Sequence, residues 1–382
     1  MRGENPTKRR RAVTAAAWLA AFAAAYWGLP LLRRPGGQVQ PPPASAPSSL
    51  SPPPAAVPAD AGARLARALQ ALQAARGPAG TKQALDDLRR ALRTLPADQA
   101  SAAISRFLES KTDQPTGQEF KVGAAGALES APTLRTFLLD QLGQLDPAAA
   151  AANARVILAS MDSPDEWAVA LRNLARGDTS EDGRQLAGDK LRAMLTHPAW
   201  LEQPSVGFLE AFDVAVHLHA TELIPALTDL VRLQDNQAVA HAAYLSLDRM
   251  TIADPTATLS ALQANPDSMK GREVTRANYF ARADVRDEAQ RRVIETYLLN
   301  PALTTDELEK FSALYPNANF MVSRNLLTES ATPDNAWLTG RDRAALTLLK
   351  QWAEEPRFTR LRPQLQQMEL RLQQFVRQSG QK

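Results

Sequence analysis

Leu85-Asp86-Asp87-Leu88-Arg89-Arg90-Ala91-Leu92-Arg93-Thr94-Leu95 is the stretch on which the fold class turns. Its leucines recur at steps of three and four, with acids and arginines between them, so a helical winding gathers an apolar stripe on one face and charge on the other. The same periodicity returns from Leu134 to Leu145, Ala148 to Met161, Trp167 to Leu174, Leu186 to Leu195, Phe208 to Leu218, Leu223 to Leu233, Val239 to Met250 and Val293 to Leu299. Asp146-Pro147, Ser163-Pro164, Asp254-Pro255 and Thr332-Pro333 each set an N-capping residue before a proline, whose missing N–H costs nothing in a first helical turn. Ser163 with Glu166 and Thr304 with Glu307 have the spacing of capping boxes, and Gly177 and Gly340 read as C-terminal stops. Roughly fifteen short helices joined by short connections pack more naturally as stacked pairs than as one antiparallel bundle. The expected fold is therefore all-α, an α-solenoid of stacked helical hairpins over residues 63–382.

One segment departs from that rhythm. Gly117-Gln118-Glu119-Phe120-Lys121-Val122-Gly123-Ala124-Ala125-Gly126-Ala127-Leu128 alternates apolar and polar residues around a glycine-rich turn, which reads as a small β-hairpin inserted near 118–128, with a long loop as the alternative. At the C-terminus Leu361, Leu365, Met368, Leu372 and Phe375 follow a 4-3-4-3 spacing. Two heptads are short for a coiled coil, so this helix reads as the cap that closes the stack.

Leu223-Ile224-Pro225-Ala226-Leu227-Thr228-Asp229-Leu230, the polar Asn236-Gln237-Ala238-Val239 and then Ala242-Ala243-Tyr244-Leu245-Ser246-Leu247 resemble a HEAT-type repeat. In that family a first helix with proline and paired leucines is followed by a polar turn and a second helix of small and aliphatic residues. The resemblance implies architecture, and such solenoids generally serve as interaction surfaces.

Toward the N-terminus the composition changes twice. Residues 33–62 are a Pro/Ala/Ser-rich linker with almost nothing to bury, expected to act as a semi-stiff polyproline spacer. Ala12 to Leu32 is apolar and, at about 1.5 Å of rise per residue, reaches roughly the 30 Å of a bilayer's hydrocarbon. Arg2 and Lys8 to Arg11 precede it and only Arg33 and Arg34 follow, which favours a cytoplasmic tail over residues 1–11. Residues 12–32 thus read as a single transmembrane anchor engaging the lipid bilayer of a bacterial inner membrane, with the C-terminal domain in the periplasm. A cleaved secretory signal is the alternative, but its apolar core would be about 7–15 residues.

The net charge of +3 comes from this front end. Seven basic residues against Glu4 alone precede Gln38, leaving 37 basic and 40 acidic residues beyond it. Without a clustered basic face, no nucleic-acid partner is expected. The absence of cysteine removes disulfides, thiolate metal sites and a cysteine nucleophile at once. His217 and His219, two apart, would lie about 200° from one another on a helix, and no H-E-x-x-H accompanies them or His197 and His241, so no metal is expected. No G-x-S-x-G elbow, S-x-x-K set or phosphate-binding loop occurs. Acid pairs such as Asp165-Glu166 and Asp306-Glu307 fall in first helical turns, where they complement the helix dipole. No catalytic residue and no cofactor is assigned. Trp167 and Trp352 lie on apolar stripes and are expected in the core, whereas Trp200 and Trp337 sit at helix boundaries and are the candidate partner-contact residues.

The functional expectation is a membrane-anchored, extracytoplasmic, non-catalytic helical-repeat scaffold that binds a protein partner. Two alternatives stand beside it. The layout of short tail, anchor, spacer and helical exported domain resembles the membrane-anchored lipase-specific foldases, a family with an Arg-x-x-Phe-Asp-Tyr signature. Arg135-Thr136-Phe137-Leu138-Leu139-Asp140 falls roughly there, with Phe137 one position early and no Asp-Tyr pair. The other is a helical hydrolase of an envelope polymer, which needs an acid in a cleft.

Overall fold

The computed structural model of the chain describes residues 61–379. The tail over 1–11, the apolar run over 12–32 and nearly all of the linker lie outside the described residues. Among the described residues no helix is long and apolar enough to cross a membrane.

The described part is mostly helical, with two short strand pairs. Successive helices pack as pairs, Pro147–Ile157 against Pro164–Gly177, Ile224–Val231 against Gln237–Ala253, and Asn335–Glu354 against Arg362–Ser379, while Glu273–Phe280 skips the intervening Glu288–Leu299 and packs against Thr305–Leu314. Leu85, Leu88, Leu92 and Leu95 are buried, as the spacing of the stripe requires. Trp167 and Trp352 are in the core, and so are Leu361, Leu365, Met368 and Leu372 of the C-terminal stripe, whereas its last member, Phe375, is 46% exposed.

The caps follow the sequence closely. The side chains of Asp146, Ser163, Asp254 and Thr304 accept from the backbone N–H of Ala149, Glu166, Ala257 and Glu307. Neither capping box closes through its glutamate, because each carboxylate is drawn to an arginine of another helix. Arg135 holds Glu166 through Nε and Nη2 at 2.9 and 3.1 Å, and Arg276 holds Glu307 at 2.7 and 2.7 Å. A bidentate guanidinium pair outcompetes one backbone N–H for these buried carboxylates.

Three details differ from the sequence reading. The helix expected after Thr332-Pro333 starts at Asn335 instead, because Asp334 Oδ1 accepts from Trp337 N at 2.7 Å. Gly340 is inside that helix and terminates nothing. The run from Phe208 to Leu218 is split into Val206–Glu210 and Asp213–His217. At the break, the Phe212 carbonyl accepts the Ser246 hydroxyl at 3.0 Å.

Contacts between neighbouring pairs recur at nearly one sequence spacing. Asn173 Nδ2 donates to Leu139 O, Ser246 Oγ to Phe212 O and Tyr279 Oη to Tyr244 O, across 34, 34 and 35 residues. Both arginine–glutamate pairs span 31 residues.

The departure near 118–128 is a hairpin. Lys121–Val122 pairs antiparallel with Leu128–Ser130, with an irregular register around a 3-10 turn at Ala124–Gly126. A second hairpin, Ser323–Arg324 with Glu329–Ser330, meets it through Ala125 N donating to Glu329 Oε1 at 3.1 Å. Gly126 has φ +68°, and a Cβ there would sit 2.0 Å from Leu326 O, so only glycine lets the turns touch. Asp213 accepts from Leu327 N, Thr328 N and the Thr328 hydroxyl, fastening the second hairpin to the helices.

Candidate functional site

Helix Asn335–Glu354 buries Arg341, Ala345, Leu348, Leu349 and Trp352. This is a helical stripe in which an arginine stands where a leucine would be expected. Its capped start at Asp334 fixes Trp337 one turn before Arg341. Opposite lies the turn that follows Glu273–Phe280, carrying Arg282, Asp284 and Arg286, and above both runs the irregular segment 316–322. That segment is pinned by Asn317, whose N–H donates to Ala281 O at 2.7 Å and whose Nδ2 donates to Asn278 Oδ1 at 3.0 Å.

The result is an alternation of rings and guanidinium groups. Arg282 and Arg341 lie 5.5 and 5.9 Å from the Phe320 ring centre, and Arg341 and Arg286 lie 5.1 and 4.9 Å from the Trp337 ring. Phe320 and Trp337 meet edge to face at 6.0 Å. Such cation–π contacts contribute about 0.5–1 kcal/mol where solvent reaches them, as for Arg286 on Trp337, and about 2 kcal/mol where they are desolvated. Gly340 has its role here: a Cβ would come 3.2 Å from Arg286 Nη1, so the bare backbone lets the guanidinium slide over the indole.

The cations are unequally paired. Arg286 is held by Asp284 at 2.5 Å, which raises its pKa. Arg282 makes a two-pronged contact to Asp248 at 2.5 and 2.7 Å and also donates to Asn319 O at 2.8 Å. Arg341 makes one hydrogen bond, from Nη1 to Asn317 O at 3.1 Å. Burial lowers its pKa, and it raises that of Asp342 beside it. Arg341 Nε and Nη2, Arg282 Nη1 and the Tyr315 hydroxyl are buried without a hydrogen-bond partner among the described residues. Outside this locus the surface turns apolar: Met321, Val322 and Trp337 are 38, 72 and 37% exposed.

The other candidate contact, Trp200, is 7% exposed and packs edge-on to Trp167 at 5.4 Å and against His197 at 4.5 Å. Its short helix, Pro198–Glu202, turns it inward, so Trp200 and Trp337 occupy separate clusters. A second concavity, of about 540 Å³, is lined by Gln234, Gln237, His241, Tyr244, Arg272 and Thr275. There His241 stacks on Tyr244, which stacks on Tyr279, and burial lowers the His241 pKa. His217 ends its helix and His219 lies beyond it with φ +53°, so the pair does not share a helix. Among the described residues no cluster of three or more His, Asp or Glu could hold a metal ion.

Two features bear on the alternative readings. Glu210 is pushed up to about 7 by burial, the profile of a proton donor, but the neighbouring acid Asp213 is committed to Arg249 and the hairpin backbone. Of the foldase-like residues, Arg135 is tied to Glu166 and Leu108 O, Phe137 is in the core, and Asp140 is fully buried against Arg172.

Of the cluster, the sequence singled out Trp337 alone. Arg282, Arg341, Tyr315 and Phe320 went unseen because they come from three segments that meet only in space. One signal was present: Arg341 falls in phase with Ala345, Leu348 and Trp352 on an otherwise apolar stripe. No protein-family model matches the chain, and no curated protein is similar to it in sequence.

Proposed function

We propose that the protein is a membrane-anchored, extracytoplasmic scaffold, a HEAT-like α-solenoid that binds a protein partner without chemistry of its own. The observation that carries this reading is the surface at Met321, Val322 and Trp337, where exposed apolar side chains adjoin arginines. Aromatic and arginine side chains grouped this way are the composition of interface hot spots. Support for the solenoid comes from the inter-helix contacts that repeat at 34, 34 and 35 residues, the spacing expected when one helical hairpin stacks on the next. Anchoring and orientation rest on the charge asymmetry about residues 12–32.

Placing a photo-crosslinking residue at position 322 of the full chain, in its native membrane, tests the reading. A discrete adduct that is lost when the same group is moved to exposed Arg184 on another helix is the expected result. Equal labelling from both positions would overturn it. A reporter fused after Lys382 tests the topology, and activity confined to the cell interior would remove the extracytoplasmic placement.

A further inference from the structure

Among the described residues four buried polar atoms of this locus have no protein partner: Nε and Nη2 of Arg341 and Nη1 of Arg282, whose guanidinium groups face Phe320, and the hydroxyl of Tyr315, which lies in the field of Arg341. Their side chains belong to residues that are 1, 8 and 0% exposed. Three of the four are N–H donors on cationic forks, and the fourth is a hydroxyl able to donate, so the vacant valences ask for acceptors and for negative charge. The acids nearby do not supply them. Asp248 is taken by Arg282 and Asp284 by Arg286, while Asp342 lies in the field of Arg341 without a hydrogen bond to it. Asp248, Asp284 and Asp342 match the three arginines in formal charge, so what Arg341 has left over is hydrogen-bonding capacity, and a single carboxylate suits it better than a dianion. A planar two-oxygen acceptor fits the edge of a guanidinium, and the rings of Phe320 and Trp337 form an apolar rim that suits carbon attached to it.

We propose that this cluster is the binding site for a carboxylate borne on a peptide segment of the partner, with the segment's apolar side chain resting on Met321, Val322 and Trp337. This rests on the partner-binding reading above and names its recognition chemistry. Arg341 supplies the fork, Arg282 Nη1 and the Tyr315 hydroxyl complete the set of donors, and Phe320, which is half-buried, is the ring that shifts to admit the anion.

The test is titration of the full chain with N-acetyl-leucine, N-acetyl-leucinamide and N-acetyl-Leu-Asp-amide, read by calorimetry and by the arginine Nε–H NMR resonances. A carboxylate should bind about ten-fold tighter than the neutral amide and shift the Arg341 Nε–H signal. Preference for N-acetyl-leucine would mark a chain end as the source, and preference for the aspartyl peptide a side chain. Arg341→Met should abolish the preference for the acid, and Val322→Ser should weaken acid and amide alike. Tyr315→Phe, which deletes a single hydroxyl, should reduce the preference and serves if Arg341→Met does not fold. Equal affinity for acid and amide, or an Arg341 Nε–H signal unmoved by any probe at millimolar concentration, overturns the carboxylate site. In that event an adduct from position 322 that persists in Arg341→Met would leave the partner-binding reading intact, whereas loss of the adduct in wild type would remove both.

Discussion

Arg172 and Arg341 are equally hidden, at 0 and 1% exposure, and differ in what surrounds them. Arg172 sends Nη1 to Asp140 Oδ1 at 2.6 Å and Gly126 O at 2.7 Å, and Nε and Nη2 to Asn173 Oδ1. Asp140 in turn accepts from Leu128 N and Gln141 Nε2 at 3.0 and 2.9 Å. Every nitrogen of that guanidinium is used, and its partners tie the first hairpin to two helices. Arg341 has one hydrogen bond, two aromatic faces and two idle nitrogens. A buried cation whose donors are all met is part of the architecture, whereas one left short keeps its charge available to something else.

The comparison predicts its largest effect at Asp140. Asp140→Ala strands Arg172 in the interior and releases Leu128 N, so it should cost about 3–5 kcal/mol in urea unfolding of the full chain. Arg341→Met removes a cation that was never fully paired and replaces it with an adaptable apolar chain on an apolar stripe. The lost cation–π contacts and the relieved desolvation oppose each other, and the net change should stay within about 1 kcal/mol. If the two substitutions cost the same, the distinction between the clusters is lost.

Glu210 offers a pH-dependent version of the same contrast. It sits beside the paired Asp213 and Arg249, and burial lifts it from 4.5 to about 7. A carboxyl with a raised folded pKa binds its proton more tightly when folded, so its contribution is present at low pH and declines as pH rises from about 4.5 through 7. Between those limits wild type should lose on the order of 2–3 kcal/mol that Glu210→Gln does not. Asp165, Asp248 and Asp342 are also raised by burial and act in the same direction. The quantity to measure is therefore the difference in slope between wild type and Glu210→Gln, and equal slopes would mean that Glu210 is ionised in the folded protein.

How far each region could be read beforehand follows the same division. Helices, caps and the apolar stripes of Leu85–Leu95 and Leu361–Leu372 depend on residues within a few positions of each other, and periodicity exposes them. The helix Leu134–Leu145 carries the bounds its pattern gives. The hairpin near Gly117–Leu128 was visible in its glycines, but its docking on Leu326 was not, because the two turns lie about two hundred residues apart. Glu166 and Glu307 had a sound local role as capping-box partners, and a remote arginine displaced it. Trp200 at a helix boundary looked exposed because one sequence does not show that Trp167 lies over it. The Arg282–Tyr315–Arg341 cluster was hidden for the same reason, with the out-of-place polarity of Arg341 as its one local trace.

The smallest effect belongs to Gly340, and set against Gly177 it separates permissive space from close packing. Gly177 and Gly340 both carry the signature of a helix stop, yet their surroundings differ. At Gly177 a Cβ would lie 2.1 Å from the Pro147 carbonyl oxygen, a backbone atom that cannot give without moving a helix. Gly177→Ala should therefore destabilise by about 1–3 kcal/mol. At Gly340 the nearest atom, at 3.2 Å, is Nη1 of Arg286, the mobile tip of a partly exposed side chain. Asp284 grips that guanidinium through Nε and Nη2, so Nη1 can swing aside by a few tenths of an ångström without breaking the pair. Helix propensity alone favours alanine by about 1 kcal/mol in an interior position, and part of that should survive as a gain of roughly 0.5 kcal/mol in Gly340→Ala. The guanidinium moves off Trp337 in exchange, so the variant should be more stable and bind a partner at Val322 less well. A Gly340→Ala protein less stable than wild type would mean that the stack of Arg286 on the indole is worth more to the fold than its exposure suggests.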